Sequence, residues 1–276
     1  MEAMQNVLPN KQIHVVGGGT IEPVRNHLAL AAPAFGNTAR QIGELCAEYM
    51  PQMDVQLHLT RMADPESKLE TSDDLRDLAE RIVTDYTSKM VFWSPVVCDF
   101  DGQVGETASG KHANRLSSAE PQTIDLTPRP KIVSMLRRDE VAGQRPRKDI
   151  FAVGFKTTVN APPDQQYSAG LRLLKQNSLN LVLANDAGTR NNMVVAPEET
   201  IYFESTEREV TLRGLLEIAA LRSQLSFTES TVVAGEPVPW DSEAVYPALR
   251  TVVDYCIGRN AYKEFLGVTA GHFAAK

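Results

Sequence analysis

Ile13-His14-Val15-Val16-Gly17-Gly18-Gly19-Thr20-Ile21-Glu22-Pro23-Val24-Arg25 is the stretch whose reading decides the fold. An apolar run that ends in three glycines predicts a buried strand stopping at a tight turn. With no side chains at Gly17, Gly18 and Gly19, the N–H groups there and at Thr20 can come close to a phosphate. The next helix, predicted over Asn37 to Tyr49, points its positive end at the same crevice. The same residues also suit a plain strand followed by a flexible turn. The dinucleotide fingerprint requires glycine at its first, third and sixth positions; Gly17 and Gly19 fit, but Glu22 takes the last place. NAD or FAD binding of the usual kind, and with it a dinucleotide oxidoreductase, is therefore disfavoured.

Outward from this stretch, helical and strand periodicities alternate. Ile42, Leu45, Cys46 and Tyr49 share a helix face that ends before Pro51. Val55, Leu57 and Leu59 alternate with Gln56 and His58, as in a half-buried strand with His58 toward solvent. Ser72 is a candidate N-cap, followed by Asp73 and Asp74 and by an apolar face of Leu75, Leu78, Ile82 and Tyr86. Met90 to Trp93 and then Ser94 to Phe100 read as buried strand ending in a polar loop. Gly102 to Gln122 breaks all periodicity, which predicts a mobile loop of about twenty residues, a length that usually marks function or disorder. Beyond it lie a short helix (Ile132, Met135, Leu136), a basic linker (Arg137 to Lys148) and a strand (Ile150 to Phe155). A helix (Ala169 to Gln176) and a strand (Leu179 to Asp186) follow. Ile201 to Phe203 and Val210 to Leu212 suit an outer hairpin, and Leu215 to Leu221 a helix.

This alternation predicts an α/β fold: a Rossmann-like, mostly parallel sheet with helices on both faces and its ligand beyond the carboxyl ends of the strands. Three strands end there on candidate groups: Gly17 to Thr20, Asp99, and Asn185-Asp186. From Ser226 the pattern changes to a Gly/Pro/Trp loop and a helix through Val245, Leu249, Val252, Val253 and Cys256. We therefore expect a nucleotide-binding domain over 1–225 and a helical extension over 226–276. Gly267 to Phe273 is apolar, as though a further element began there.

The chain has 276 residues, 42% apolar and 23% charged, with 28 Lys and Arg against 35 Asp and Glu. The resulting charge of −7 argues against a general nucleic-acid binder, which needs a basic face. The three cysteines, Cys46, Cys98 and Cys256, are widely spaced and odd in number. They suggest buried thiols in a reducing compartment, with neither a disulfide frame nor a zinc site. No apolar run approaches the roughly 20 residues that span a bilayer, and the N-terminus lacks signal-peptide order, so the cytoplasm is expected.

Four segments carry a resemblance. Gly18-Gly19-Thr20-Ile21-Glu22-Pro23-Val24-Arg25 is similar to an opening Gly-x-Thr-x-Glu-Pro…Val-Arg turn, and Val97-Cys98-Asp99-Phe100 to a Val-Ala-Asp-aromatic strand end. Ile124 to Ile132 with Ala152 to Thr158 is similar to an Asn-Pro-Asp-Ile stretch and the Val-Gly-Phe…Glu-Thr strand after it. Leu174 to Asp186 is similar to a basic helix and an Asp-Leu-Ile-x-Ala-Asn-Asp strand. In order, over about residues 12–225, they resemble phosphopantothenoylcysteine synthetase, also called phosphopantothenate–cysteine ligase.

The resemblance implies a Rossmann-like fold, a homodimer, and amide formation between phosphopantothenate and L-cysteine in coenzyme A biosynthesis. It implies CTP or ATP as substrate with Mg²⁺, and an acyl-nucleotidylate as intermediate. Lys111, in the long loop, falls at the family's loop lysine and is otherwise a solvated charge. Asn26 fills the place of the asparagine on the acyl group only with a gap; ungapped, that place holds Ala29. Ala31 and Ala32 replace two phosphate-binding serines, Arg129 and Lys131 an Asn and an Asp, Thr157 a Glu, and Asn180 an Asp. A changed acid or amine, or a nucleotide binder without ligase activity, is the alternative. Arg172 and Lys175, three apart on a helix, suit a triphosphate or a solvated face. Asp99 suits ribose, metal or a strand-end cap, and Asn185 and Asp186 the crevice or a turn. Phe155 suits base stacking or core, and Cys98 an inert core thiol.

Overall fold

The computed structural model describes residues 11–223, 239, 241–245 and 247–258. The chain forms two compact units, 1–227 and 228–276. In the first, β1 (Gln12–Gly17) is the buried strand expected, with Ile13, Val15 and Val16 fully covered. It pairs in parallel with β4 (Asp54–Leu59) on one side and β5 (Ser88–Trp93) on the other. The strands β8 (Phe151–Thr158) and β9 (Leu181–Asp186) continue the parallel run, and β10 (Asn192–Val195) and β11 (Ile201–Ser205) extend it antiparallel. The sheet reads β11-β10-β9-β8-β5-β1-β4. Its parallel part has the doubly wound order second-first-third-fourth-fifth, whose topological switch point lies between β1 and β5.

Both faces are covered, as the alternation predicts. On one, α1 (Asn37–Tyr49) and α4 (Arg208–Ser223) pack Ile42, Cys46, Leu212 and Leu216 against Ile13, Phe92 and Val153. On the other, α2 (Ser72–Thr84), α3 (Pro163–Asn177) and a 3-10 helix (Ile132–Leu136) pack Leu75, Leu174 and Leu136 against Val16, Val91 and Ala152. The 1–4 spacing of apolar residues in each helix supplies these faces. No helix among the described residues is long and apolar enough to cross a membrane.

Several expectations are corrected. The residues after the glycines do not continue the turn read over Gly18 to Arg25: β2 (Thr20–Arg25) and β3 (Leu28–Ala32) form a hairpin between the glycines and α1. The strand from Met90 stops at Trp93, and 94–99 runs on as a half-exposed arm, because Pro95 has no N–H for a ladder. The long loop begins as β6 (Phe100–Gln103), which pairs with β7 (Asp125–Pro128). Its first half is strapped down by buried Arg25, which donates to the Val104 and Thr107 carbonyls. Val210 to Leu212 is the first turn of α4, since Leu212, Leu215, Leu216 and Ala219 fall on one helical face; Ile201 to Ser205 pairs with β10 instead. Thr71, not Ser72, caps α2, in a reciprocal box with Asp74. Ser72 lies buried one residue on, its N–H donating to Glu22 at 2.6 Å. His58 does not face solvent freely but stacks on buried His14.

All three cysteines are free; burial pushes the Cys46 thiol up to about 12, whereas Cys98 is only half-buried. In the second unit, α5 (Pro247–Gly258) carries Leu249, Val252, Val253 and Cys256, starting two residues after Val245. Gly267 to Phe273 lies outside the described residues.

Candidate functional site

Two cavities open at the carboxyl ends of the parallel strands. The smaller, about 250 Å³, lies at the switch point between Gly18, after β1, and Ser94 and Val96, after β5. The start of α1, Phe155, Thr157, Asn185 and Arg208 complete its wall. The larger, about 670 Å³, runs from Trp93 and the 94–99 arm to the 129–139 segment and α3. Val96, Phe155 and Thr157 line both cavities. A half-buried aromatic ring therefore stands between two chambers on one sheet edge.

The three glycines hold the backbone of this edge together. A Cβ on Gly17 would stand 2.3 Å from the Ala39 Cβ, so the residue lets α1 close on the sheet. Gly18 adopts a left-handed φ of 102° and borders the smaller cavity. The expected phosphate grip by bare main chain is not free at the next two positions. The Gly19 N–H donates to the Ala34 carbonyl at 2.8 Å and the Thr20 N–H to the Val96 carbonyl at 3.1 Å. The Thr20 hydroxyl is fully buried and accepts from the Cys98 N–H at 2.8 Å. These donors tie down the hairpin and the 94–99 arm instead of facing the cavity.

What faces the smaller cavity is the start of α1. Gly36 caps the helix in the left-handed region, with no side-chain cap and no acid in the first turn. The orphan N–H groups of Asn37, Thr38 and Ala39 thus open where an anion is favoured. Arg208, first residue of α4, reaches across: its Nη2 donates to Thr38 Oγ1 at 2.9 Å and its Nη1 to Asn192 Oδ1 at 3.1 Å. Burial lowers its pKa. Asn185 also lines this cavity and accepts from the Thr157 hydroxyl at 3.2 Å.

The larger cavity combines apolar walls (Trp93, Pro95, Phe155, Ile132) with Arg129, Lys131, Arg138 and Lys156, against two carboxylates, Asp99 and Asp139. Asp99 is on this wall, ion-paired to Lys131 at 2.6 Å. Arg129 is held by Glu22, Asp73 and Asp101. Burial opposes its charge, but those three carboxylates outweigh it and raise its pKa. Cys98 lies on the wall too, so it is not a core thiol.

Five expected site residues lie elsewhere. Lys175 pairs with Glu199, in the turn after β10; that strand ends beside Val182 at the start of β9, so the pair sits at the opposite edge of the sheet. Arg172, exposed on the same helix, lines neither cavity. Asp186 is buried and structural: its carboxylate accepts from the N–H groups of Thr189, Ala161, Asn160 and Gly188 and from the Thr158 hydroxyl. These donors, Thr189 first, hold its pKa well below the usual carboxylate range. Asn26 is at the exposed tip of the β2–β3 hairpin, its N–H on the Ala113 carbonyl. Lys111 lies on Glu70 at 2.7 Å and lines neither cavity; its hydrogen bond lowers the Glu70 pKa.

Sequence reasoning missed Arg208 and Lys156 as individual residues, whereas the helix end at Asn37 was expected at the crevice and does line the smaller cavity. Arg208 carried no signal, because 170 residues separate it from Thr38.

No family model and no curated protein sequence matches the chain. Solved structures do. The DNA/pantothenate metabolism flavoprotein from Streptococcus pneumoniae matches with a TM-score of 0.59 at 19% identity, over 77% of this chain and 99% of that one. The C-terminal domain of the coenzyme A biosynthesis bifunctional protein CoaBC matches at 0.56 and 14% identity, over 78% and 96%. A Cab2 mutant in complex with phosphopantothenate-cysteine matches at 0.54 and 13%, over 78% and 87%. The resemblance read over residues 12–225 is thus borne out at the level of architecture: the chain has the Rossmann-like α/β fold of these pantothenate and coenzyme A proteins.

Proposed function

We propose that the protein is a nucleotide-dependent ligase that joins a phosphorylated acid to an amine, with phosphopantothenate and L-cysteine as the default pair. The observation that carries this reading is the pair of adjoining cavities on the carboxyl edge, with Phe155 between them. A ligase of this kind must bring a nucleotide and an acid into line. The larger cavity has the size and the mixed apolar and basic lining for CTP or ATP. In this reading the acid's carboxylate oxygen attacks the α-phosphorus and pyrophosphate leaves. The amine then attacks the acyl carbon, the nucleoside monophosphate leaves, and the amine gives up a proton. Lys131, Arg138 and Lys156 offset charge on the phosphates, and Phe155 and Trp93 exclude water from the activated acyl group.

Among the described residues no cluster of three or more His, Cys, Asp or Glu could hold a metal. Mg²⁺ would enter with the nucleotide phosphates, with Asp99 as the protein carboxylate beside them; it would supply Lewis-acid charge to the phosphate. Lys111 takes part in this reading only after leaving Glu70.

The test is pyrophosphate release from CTP or ATP with phosphopantothenate and cysteine. Release that requires the acid and drops about a hundredfold in Lys156→Ala supports the ligase. Tight nucleotide binding with no turnover supports the second reading, a nucleotide binder of the same fold. That reading is favoured by the placement of Asn26 and Lys111 away from both cavities.

A further inference from the structure

We propose that Met62 is a redox modification site: hydrogen peroxide converts its thioether to the sulfoxide, and the added oxygen loosens the 33–36 segment from which α1 starts. This is independent of the ligase reading and of what either cavity holds. It rests on how this one methionine is used. Among the described methionines, Met50, Met90 and Met193 lie in the apolar core, and Met53 and Met135 pack against it. Met62 is half-buried and joins none of these clusters. Its sulfur meets a polar group instead, accepting the Ala34 N–H at 3.3 Å.

That contact joins the 33–36 segment to the turn after β4. Arg40 bridges the same two stretches, its Nη1 donating to the Phe35 carbonyl at 2.8 Å and its Nη2 to the Ala63 carbonyl at 2.6 Å. The turn is itself fixed to β1 by the Thr60 N–H, which donates to the Gly17 carbonyl at 3.0 Å. The Ala34 carbonyl accepts from the Gly19 N–H, so both backbone groups of Ala34 are spent on holding the segment. The fit is close: a Cβ on Gly19 would stand 2.6 Å from the Ala34 nitrogen and 2.8 Å from the Met62 sulfur. An N–H···O bond alone spans about 2.9 Å, which leaves almost nothing of the 3.3 Å for a sulfur–oxygen bond. An oxygen on this lone pair therefore pushes Ala34 away. An oxygen on the other lone pair leaves an electron-poor sulfur, a weaker acceptor than the thioether, which is weak already. Either sulfoxide epimer slackens the brace.

In the oxidation a sulfur lone pair attacks one peroxide oxygen, and the O–O bond breaks as the S–O bond forms. The departing hydroxide takes the proton of the transferred hydroxyl and leaves as water. Sulfur loses two electrons and the peroxide gains them. The change is reversible: a sulfoxide reductase restores the thioether at the expense of two thiols, and the oxygen leaves as water. Oxidation of the cysteines would act elsewhere. Cys46 is buried with its thiol pushed up to about 12, and Cys98 lies on the wall of the larger cavity.

The test exposes the full chain and M62L to hydrogen peroxide, then reads peptide masses, melting temperature and amide hydrogen exchange over residues 33–40. Leucine keeps the volume of methionine and has no lone pair to oxidise. Wild type is expected to gain one oxygen on Met62, to melt about 3 °C lower, and to exchange faster over 33–40. Sulfoxide reductase with a dithiol should reverse all three changes, and M62L should hold its melting temperature in peroxide. M62Q, which keeps a polar group there permanently, should melt near the oxidised wild type with no peroxide added. Peroxide that oxidises Met53 or Met135 and spares Met62 overturns the proposal. Equal losses of melting temperature in wild type and M62L overturn it too, as does Met62 sulfoxide with unchanged exchange over 33–40.

Discussion

Acid should unfold this protein in part through one pair of histidines. His14, in β1, is 6% exposed and stacks on His58 of the edge strand β4, with ring centroids 5.3 Å apart. Its Nδ1 lies 3.1 Å from His58 Nε2, and its Nε2 lies 2.8 Å from the Ser88 hydroxyl. A nitrogen–nitrogen hydrogen bond needs one bare acceptor, so the two rings cannot both carry a proton on every nitrogen. Burial lowers both pKa values; for His58, at about 4, the nearby His14 and Arg81 add to the effect. For His14, Asp85 and Asp54 work against it. Because the folded value lies below that of the unfolded chain, about 6.5, the unfolded state takes the proton first as pH falls. The stabilisation is complete above about pH 6.5 and is lost down to about pH 4, with a ceiling of about 3 kcal/mol for His58. Urea unfolding at about pH 7 and pH 4.5 should show wild type losing about 2 kcal/mol more than His58→Gln over that interval. Parallel losses in the two proteins would refute the reasoning.

Two further substitutions test the packing that positions the site. Gly17→Ala would place a methyl 2.3 Å from the Ala39 Cβ, between β1 and α1, and should lower stability by about 1–3 kcal/mol in denaturant melts. An unchanged midpoint would mean that α1 can back away. Arg129 and Glu22 are 12% and 9% exposed and 2.7 Å apart, so Arg129→Leu should cost about 3 kcal/mol by stranding the Glu22 carboxylate. Adding Glu22→Leu should recover part of that loss, and a double mutant less stable than R129L would show that the pair is not the cause.

Local periodicity made the frame legible. Ile13, Val15 and Val16 before three glycines, and Ile42, Leu45 and Cys46 after them, each state an element within a single window, and β1 and α1 fall where expected. The β2–β3 hairpin was hidden because Pro23 sits inside one strand and its Asn26-His27 tip lacks the glycine of a tight hairpin turn. β10 is four residues, all buried, too short to show a period. The misplaced phosphate grip follows from the first of these. Once Thr20 to Ala32 folds back as a hairpin, the Gly19 and Thr20 amides are consumed in anchoring it.

The placement of charges follows from strand direction more than from spacing. A helix that follows a parallel strand begins at the carboxyl edge and ends at the other, so Lys175 in the last turn of α3 is carried away from the crevice while Asn37 and Thr38 in the first turn of α1 are delivered to it. Direction also accounts for Arg208. β10 runs against β9 and β11 against β10, so two reversals return the chain to the orientation of the parallel strands. α4 therefore begins at the carboxyl edge, three residues beyond Ser205, and its first side chain reaches Thr38 across the mouth of the smaller cavity. Had Val210 to Leu212 been the hairpin partner of Ile201 to Phe203, one more reversal would have followed β11, and the next helix would have started at the far edge. The single correction from strand to helix at Val210 is thus what brings an arginine, invisible as a motif, to the site.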